Sequence, residues 1–289
     1  MSAPRRHGDD QRVTEHSIRD HVVVFGVDGV RYDTLRAART PTLDAIEAAG
    51  FLAPVRVNDA GPTISGPGWA TVATGVLANR HGIYDNDLRG HHLAKYPDFL
   101  TRVRQHGGTT YASGCWPQLV TDTLGGPIFL GGGTLPYGED PPTLPAWQDA
   151  DQLVADDAAK VLGGDSISAA FVYFGLPDVV AHDQGLTPAY TEAIESSDRR
   201  IGEVIAAIEN RPGFAAERWT VIAVTDHGHA DEGGHGGESE PERTAWIAAS
   251  GPGVPTRPPA RLEQADVHAH VLAALGVAPD GALTGRPFA

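Results

Sequence analysis

The stretch HVVVFGVDG, residues 21–29, decides the fold. Its β-branched and aromatic side chains run without a polar break and stop at Asp28-Gly29. A strand that faces water on one side alternates polar and apolar residues, whereas an unbroken apolar run fits a parallel strand buried on both faces. Working outward, similar runs recur at 51–57, 109–115, 166–174, 219–225 and 244–250. Helical signals lie between them. Thr40-Pro41 opens one helix and Gly50 closes it. Further helices are expected over 69–75, 99–107, 149–162 and 262–275. A long one opens at Thr187-Pro188, with a buried stripe of Ile194, Ile201, Val204, Ile205 and Ile208. Strands alternating with helices predict one α/β domain, a doubly wound and largely parallel sheet flanked by helices, over residues 20–289. Residues 1–19 read as a solvated arm, and the Gly/Pro-rich segment 117–147 as a long loop or small lid.

Composition limits the function classes. The 289 residues carry a formal charge of −15, and Lys95 and Lys160 are the only lysines. Nonspecific nucleic-acid binding depends on cationic side chains, so a nucleic-acid partner is not expected. Cys115 is the sole cysteine, which excludes an internal disulfide and a thiolate zinc site; it reads as a packing residue. The first 20 residues hold no apolar signal core, and no apolar run is long enough to span a bilayer. The expected compartment is the cytoplasm, with no membrane partner. Oligomeric state is not legible. Histidine, by contrast, occurs 13 times.

In a doubly wound sheet the site lies at the carboxyl ends of the strands. Asp28 follows the first strand, and Ser65 sits in a turn expected over 61–68. Asp178 and His182, one helical turn apart, follow the strand ending at Phe174. Asp226 and His227 follow Thr225, and His235 lies in a GGHGG turn. Each feature has a structural alternative: a tight turn at Asp28-Gly29, a helix N-cap at Ser65, an ordinary helix face at Asp178 and His182, a flexible loop around His235. Jointly, three carboxylates and three imidazoles form a donor set suited to two zinc ions without thiolates. A zinc ion beside Ser65 would favour its alkoxide. Gly66, Pro67 and Gly68 would leave room for substrate, and the helix N-terminus that follows would offer N–H groups to an anion.

The strings FGVDGVRYDTL, TISGPGWATVATGVLANRHGI, LPDVVAH, VTDHGH and GGHGG, with the closing ADVHAHVLAALGV and LTGRPF, occur in an order that resembles the alkaline phosphatase superfamily, in its type I phosphodiesterase/nucleotide pyrophosphatase branch. The resemblance spans residue 21 to the end. It implies two zinc ions, one held by Asp178, His182 and His235 and associated with the attacking water, the other by Asp28, Asp226, His227 and the Ser65 oxygen. It places Ser65 at the nucleophile and Asn86 as a donor to a phosphoryl oxygen, with His81 structural. In nucleotide pyrophosphatases the last histidine ligand comes much later in the chain. Here His235 follows His227 by eight residues, as in compact members, and His229 is the competing candidate. The implied reaction is a two-step displacement through a phosphoseryl intermediate on a small anionic phosphate ester.

Several alternatives bear on substrate and class. Related monoesterases carry a Lys-x-Arg clamp for the extra charge, and no Lys-x-Arg occurs here, which favours a phosphodiester. A phosphomonoesterase or a phosphonate hydrolase would use the same site. Sulfatases resemble Ser65-Gly66-Pro67-Gly68 but follow it with arginine, where this chain has Trp69. The run from His227 through Asp231 matches the start of a metallo-β-lactamase motif, with too little chain behind it to complete that fold. A catalytically inactive binding protein would have lost ligand positions, and none is lost. Trp69, Tyr84 and Trp116 could wall a leaving-group site, though most of them read as core.

Overall fold

A computed structural model describes residues 19–279, 281 and 283–288. The expected arm lies outside the described residues up to position 18, and Arg19 already belongs to the first strand. The strands are β1 (Arg19–Val27), β2 (Gly50–Arg56), β3 (Thr110–Ser113), β4 (Ala169–Phe174), β5 (Glu217–Val224) and β6 (Thr244–Ser250). They form one six-stranded sheet in the order β2-β6-β5-β1-β4-β3. β1 pairs in parallel with β4 and β5, setting Val24 opposite Phe171 and Ile222, and β3 pairs in parallel with β4. Only β6 runs against the others, antiparallel to both β2 and β5. The mixed α/β architecture and largely parallel sheet expected from the sequence are therefore present.

Eleven α-helices connect or flank these strands among the described residues: α1 (Tyr32–Ala37), α2 (Pro41–Ala49), α3 (Ser65–Thr74), α4 (Ala78–His81), α5 (Phe99–Gln105), α6 (Pro117–Val120), α7 (Leu144–Gly164), α8 (Leu176–Gln184), α9 (Pro188–Glu209), α10 (Glu240–Arg243) and α11 (Asp266–Ala274). α7, α8 and α9 pack on one another, and α11 packs with α3 and α5. Ile194, Ile201, Val204 and Ile208 of α9 are fully buried, each contributing about 1.5–3 kcal/mol by leaving water. Ile205 is only partly buried against this core. No described helix is long and apolar enough to cross a membrane.

Two local readings are corrected. α3 begins at Ser65, so residues 65–68 are its first turn and not a preceding loop. Pro67 is tolerated there because first-turn N–H groups lack helical partners. A Cβ on Gly66 would lie 2.2 Å from the Asp85 carbonyl oxygen, and one on Gly68 would lie 2.8 Å from Asp226 Cβ. These glycines let the helix approach its neighbours closely; they do not open space for substrate. The 117–147 segment, in turn, contains α6 and the start of α7, and it buries Leu119, Ile128 and Phe129. Leu88 N–H donates to Leu124 O at 2.9 Å, which ties this segment to the 85–93 stretch.

A buried carboxylate positions the helix that follows β4. Asp151 on α7 accepts from Gly175 N–H at 3.0 Å and Leu176 N–H at 3.1 Å, the first donors of α8. The thiol of Cys115 donates to the same carboxylate at 3.1 Å, consistent with a packing role. Arg200 of α9, also buried, lies 4.0 Å from Asp151 Oδ2. Asp151→Ala would strip two helix donors of their acceptor and remove the carboxylate facing the buried Arg200 guanidinium. The expected loss is about 3 kcal/mol of unfolding free energy, measured by urea denaturation. A loss below about 0.5 kcal/mol, the range of ordinary surface substitutions, would show that the contacts are dispensable.

Candidate metal centre

The three central strands each deliver an acid at the same sheet edge. Asp28 follows β1, and its N–H donates to Phe174 O at 3.0 Å, prolonging the pairing of β1 with β4. Asp178 lies in the first turn of α8 and His182 one turn on. Asp226 and His227 follow β5, where Gln264 donates to the Thr225 and Asp226 carbonyls at 3.0 and 2.7 Å. His235 arrives from the glycine-rich turn. Its Nδ1 lies 2.6 Å from Thr63 O and Gly236 N–H donates to Thr63 Oγ1 at 2.9 Å, so Thr63 ties that turn to the loop before Ser65.

These residues form two tight donor groups, Asp28 with Asp226 and His227, and Asp178 with His227 and His235. Within each group the donor atoms all lie within 4.8 Å of one another. His182 stands at the margin, with Nε2 3.6 Å from Asp178 Oδ2 and its side chain 46% exposed. The ring contacts to Gly228 O and Thr63 O engage Nδ1 of His227 and His235, leaving Nε2 of each turned to the acids. A partner on one ring nitrogen fixes the tautomer that a metal ligand requires.

The carboxylates are satisfied on one side only. Asp28 Oδ2 accepts from Trp69 Nε1–H at 2.8 Å and from Tyr173 O–H at 2.6 Å, while Oδ1 has no hydrogen-bond partner. Asp226 Oδ1 accepts from Gly29 N–H at 3.2 Å, while Oδ2 has none. Asp178 Oδ1 likewise has none. The bare Asp28 and Asp226 oxygens lie 3.6 and 3.2 Å from His227 Nε2. Buried polar atoms are almost always paired. Three bare carboxylate oxygens converging with imidazole nitrogens fit bound divalent cations, which would ionise and satisfy all of them.

Electrostatics supports that fit. Burial, reinforced by the Asp178 charge, pushes Asp28 up to about 8. Burial and the charges of Asp28 and Asp178 push Asp226 well above the carboxylate range. Burial also works to raise Asp178, but the imidazoles of His229, His227 and His235 outweigh it and hold this acid below its usual range. Burial keeps His227 and His235 neutral by lowering their pKa values. Neutral imidazole is the ligating form.

The nucleophile candidate lies beside this cluster. Ser65 is buried at the start of α3, with Oγ 3.4 Å from His227 Nε2. Asn86 Oδ1 accepts from Gly66 N–H at 2.8 Å, which holds the amide next to Ser65 with Nδ2 as its donor. That N–H, expected from the sequence to face an anion, is therefore engaged. His81 is buried and bonded locally to Thr71 Oγ1 and Ile83 N–H, as a structural residue. Trp69 and Trp116 are buried, Tyr84 is 50% exposed, and Trp69 serves Asp28 instead of walling a substrate. Asp231 is salt-bridged to Arg31 at 2.6 Å, away from any metallo-β-lactamase arrangement. Tyr173, Thr63 and Gln264 carried no signal in the sequence: the first reads as a strand residue, and the other two as loop polar residues.

Two outcomes are expected. Trp69→Phe and Tyr173→Phe each remove one donor from Asp28 Oδ2, and each should weaken metal binding about tenfold in chelator competition; unchanged affinity in both would reject the clamp. The second concerns pH. Asp28 keeps its proton to about pH 8 when folded but only to about 3.8 when unfolded, so the metal-free protein loses stability as pH rises toward and through 8. His227 and His235, lowered from 6.5, lose stability as pH falls below that value. Melting temperature in chelator should therefore peak near pH 6.5 and fall toward pH 8.5, and bound metal should remove the alkaline decline. A flat or rising profile over that interval would contradict the assignment.

Comparison with known proteins identifies the family. Residues 22–239 match the family model described as type I phosphodiesterase / nucleotide pyrophosphatase. Among solved structures, murine ectonucleotide pyrophosphatase/phosphodiesterase 5 is similar in fold, with a TM-score of 0.66 at 15% identity, covering 92% of this chain and 97% of that one. A 2-O GAG sulfatase is similar with a TM-score of 0.71 at 12% identity, covering 93% of this chain and 73% of that one. A phosphopentomutase of Methylobacterium radiotolerans is 40% identical over 102 residues, covering 35% of this chain and 22% of that one, so the chain matches less than a quarter of this curated relative. With the family model spanning most of its length and an alkaline phosphatase-like sheet carrying the acids, this chain belongs to the type I phosphodiesterase / nucleotide pyrophosphatase family, a family of phosphate-ester hydrolases.

Proposed function

We propose that this chain is a two-zinc phosphodiesterase that acts on a small phosphate ester through a phosphoseryl intermediate. The observation that carries the reading is the placement of Ser65 Oγ, 3.4 Å from His227 Nε2, beside buried carboxylate oxygens that lack partners. Asp28, Asp226, His227 and Ser65 would hold one ion, and Asp178, His182 and His235 the other. Bound zinc would supply Lewis acidity, favouring the serine alkoxide and offsetting charge on the phosphoryl group. Ser65 Oγ forms a bond to phosphorus as the bond to the leaving oxygen breaks, and the leaving group departs as an alcohol once protonated. Asn86 Nδ2 donates to a non-bridging oxygen. Water then cleaves the Ser65–phosphorus bond and restores the hydroxyl.

Charge favours a diester over a monoester. Arg31 is engaged by Asp33 and Asp231, Arg89 by Asp87, and Arg243 by Asp59 and Glu238. These three arginines are thus paired with acids. A dianionic monoester gains most from an uncommitted cation, and a singly charged diester depends on one less. A phosphomonoesterase or phosphonate hydrolase would use the same residues.

Ser65→Ala should abolish burst labelling of the enzyme and reduce turnover at least a thousandfold while still binding two zinc ions per chain. Full turnover by this variant would overturn the nucleophile assignment. Across diester, monoester, phosphonate and sulfate esters sharing one leaving group, the wild-type protein should favour the diester in kcat/KM; a strong preference for the monoester would overturn the substrate class.

A further inference from the structure

His229 follows His227 by two residues and is fully buried, yet its Nδ1 has no hydrogen-bond partner and its Nε2 meets nothing but the Asp178 carboxylate. Other buried histidines of the chain are anchored: His21 Nδ1 lies 2.6 Å from Ile167 O, and His268 Nδ1 lies 2.7 Å from Ala73 O. The nearest hydroxyl-bearing ring is that of Tyr190, 6.0 Å away between centroids, but its O–H donates to Gly29 O and its oxygen accepts from Arg31 N–H. Instead His229 Nε2 lies 2.9 Å from Asp178 Oδ1, itself without a hydrogen-bond partner. The ring stands edge-on to His235 and His182, with centroids 5.2 and 5.4 Å away.

A second feature preserves this pair. Gly29 has φ +61°, and a Cβ there would lie 2.5 Å from Asp178 Oδ1 and 2.6 Å from His229 Nε2. The turn after β1 is thus bare where these two atoms meet. Donors bound to one zinc at about 2.0–2.2 Å stand roughly 3 Å apart, close to the separation seen here.

Resting on the two-metal reading above, we infer that His229 Nε2 is a further protein ligand of the ion at Asp178, joining His182 and His235. The two ions then sit in unlike surroundings. One has three imidazoles and a carboxylate; the other has one imidazole, two carboxylates and a serine oxygen. Imidazole-rich sites favour zinc, cobalt or nickel, and oxygen-rich sites tolerate magnesium or manganese. Excess Mg²⁺ or Mn²⁺ should therefore displace zinc from the Asp28 side first.

The test counts metal-bound imidazoles in the cobalt(II)-loaded wild-type protein. Hyperfine-shifted ring N–H proton resonances should number four, for His182, His227, His229 and His235. In chelator competition His229→Ala should still bind two ions, one of them at least tenfold more weakly. Three shifted resonances in the wild type, with that of His182 among them, would overturn the inference even if the variant binds weakly, because His229 would then only donate a proton to Asp178. If His229→Ala fails to fold, the wild-type count still decides. A wild-type protein that takes up no metal would reject the two-metal reading itself, a result distinct from two ions with three imidazoles.

Discussion

Three carboxylates meet at the ends of β5, β1 and β4, two of them buried with no cationic side chain among their hydrogen-bonding partners and the third, Asp178, faced by imidazoles. Like charges at this spacing cannot all ionise in a low dielectric, and two of the three are driven strongly toward their neutral forms. Such an arrangement opposes folding on its own, and bound divalent cations would offset that cost. Much of the surrounding architecture can be understood as holding these acids in that position.

The supporting contacts are asymmetric. Trp69 and Tyr173 occupy one oxygen of Asp28, and the Gly29 backbone occupies one oxygen of Asp226, so the other oxygen of each acid is directed inward. Trp69 lies one turn beyond Ser65 on α3. The helix that begins at Ser65 is therefore also pinned to the acid that follows the central strand. Asp151 does the corresponding work for α8, capping the helix that carries Asp178 and His182, and Thr63 links the His235 turn to the approach to Ser65. Segments far apart in the chain thus meet through single buried polar groups, each with low-dielectric surroundings that make its loss expensive.

Much of this was legible in the chain. The apolar runs mark the strands because a strand covered on both faces cannot carry polar side chains, and the acids stand out because they come immediately after those runs. Local chemistry was misleading where tertiary contact overrides it. Gly66, Pro67 and Gly68 read as a turn, since two glycines and a proline disfavour a helix, yet close packing against Asp85 and Asp226 holds them in the first turn of α3. The Gly/Pro-rich stretch after residue 117 likewise concealed Ile128 and Phe129, whose burial is set by distant partners. Trp69 looked like core or a substrate wall because nothing in its neighbourhood points to an acid 41 positions earlier.

By itself the sequence determined the α/β alternation, the sheet edge on which chemistry is concentrated, and the residue types available there: acids, imidazoles, a serine and an asparagine. These follow from periodicity and from position relative to the strands, which are local properties. Only the tertiary structure decided which oxygen of each acid is bare, which imidazoles face which acid, and that His229 meets Asp178 over Gly29. Those depend on directions and distances between segments up to some two hundred positions apart, and a linear order of residues does not encode them one by one. They arise when the packed sheet and helices leave each side chain a single place to go.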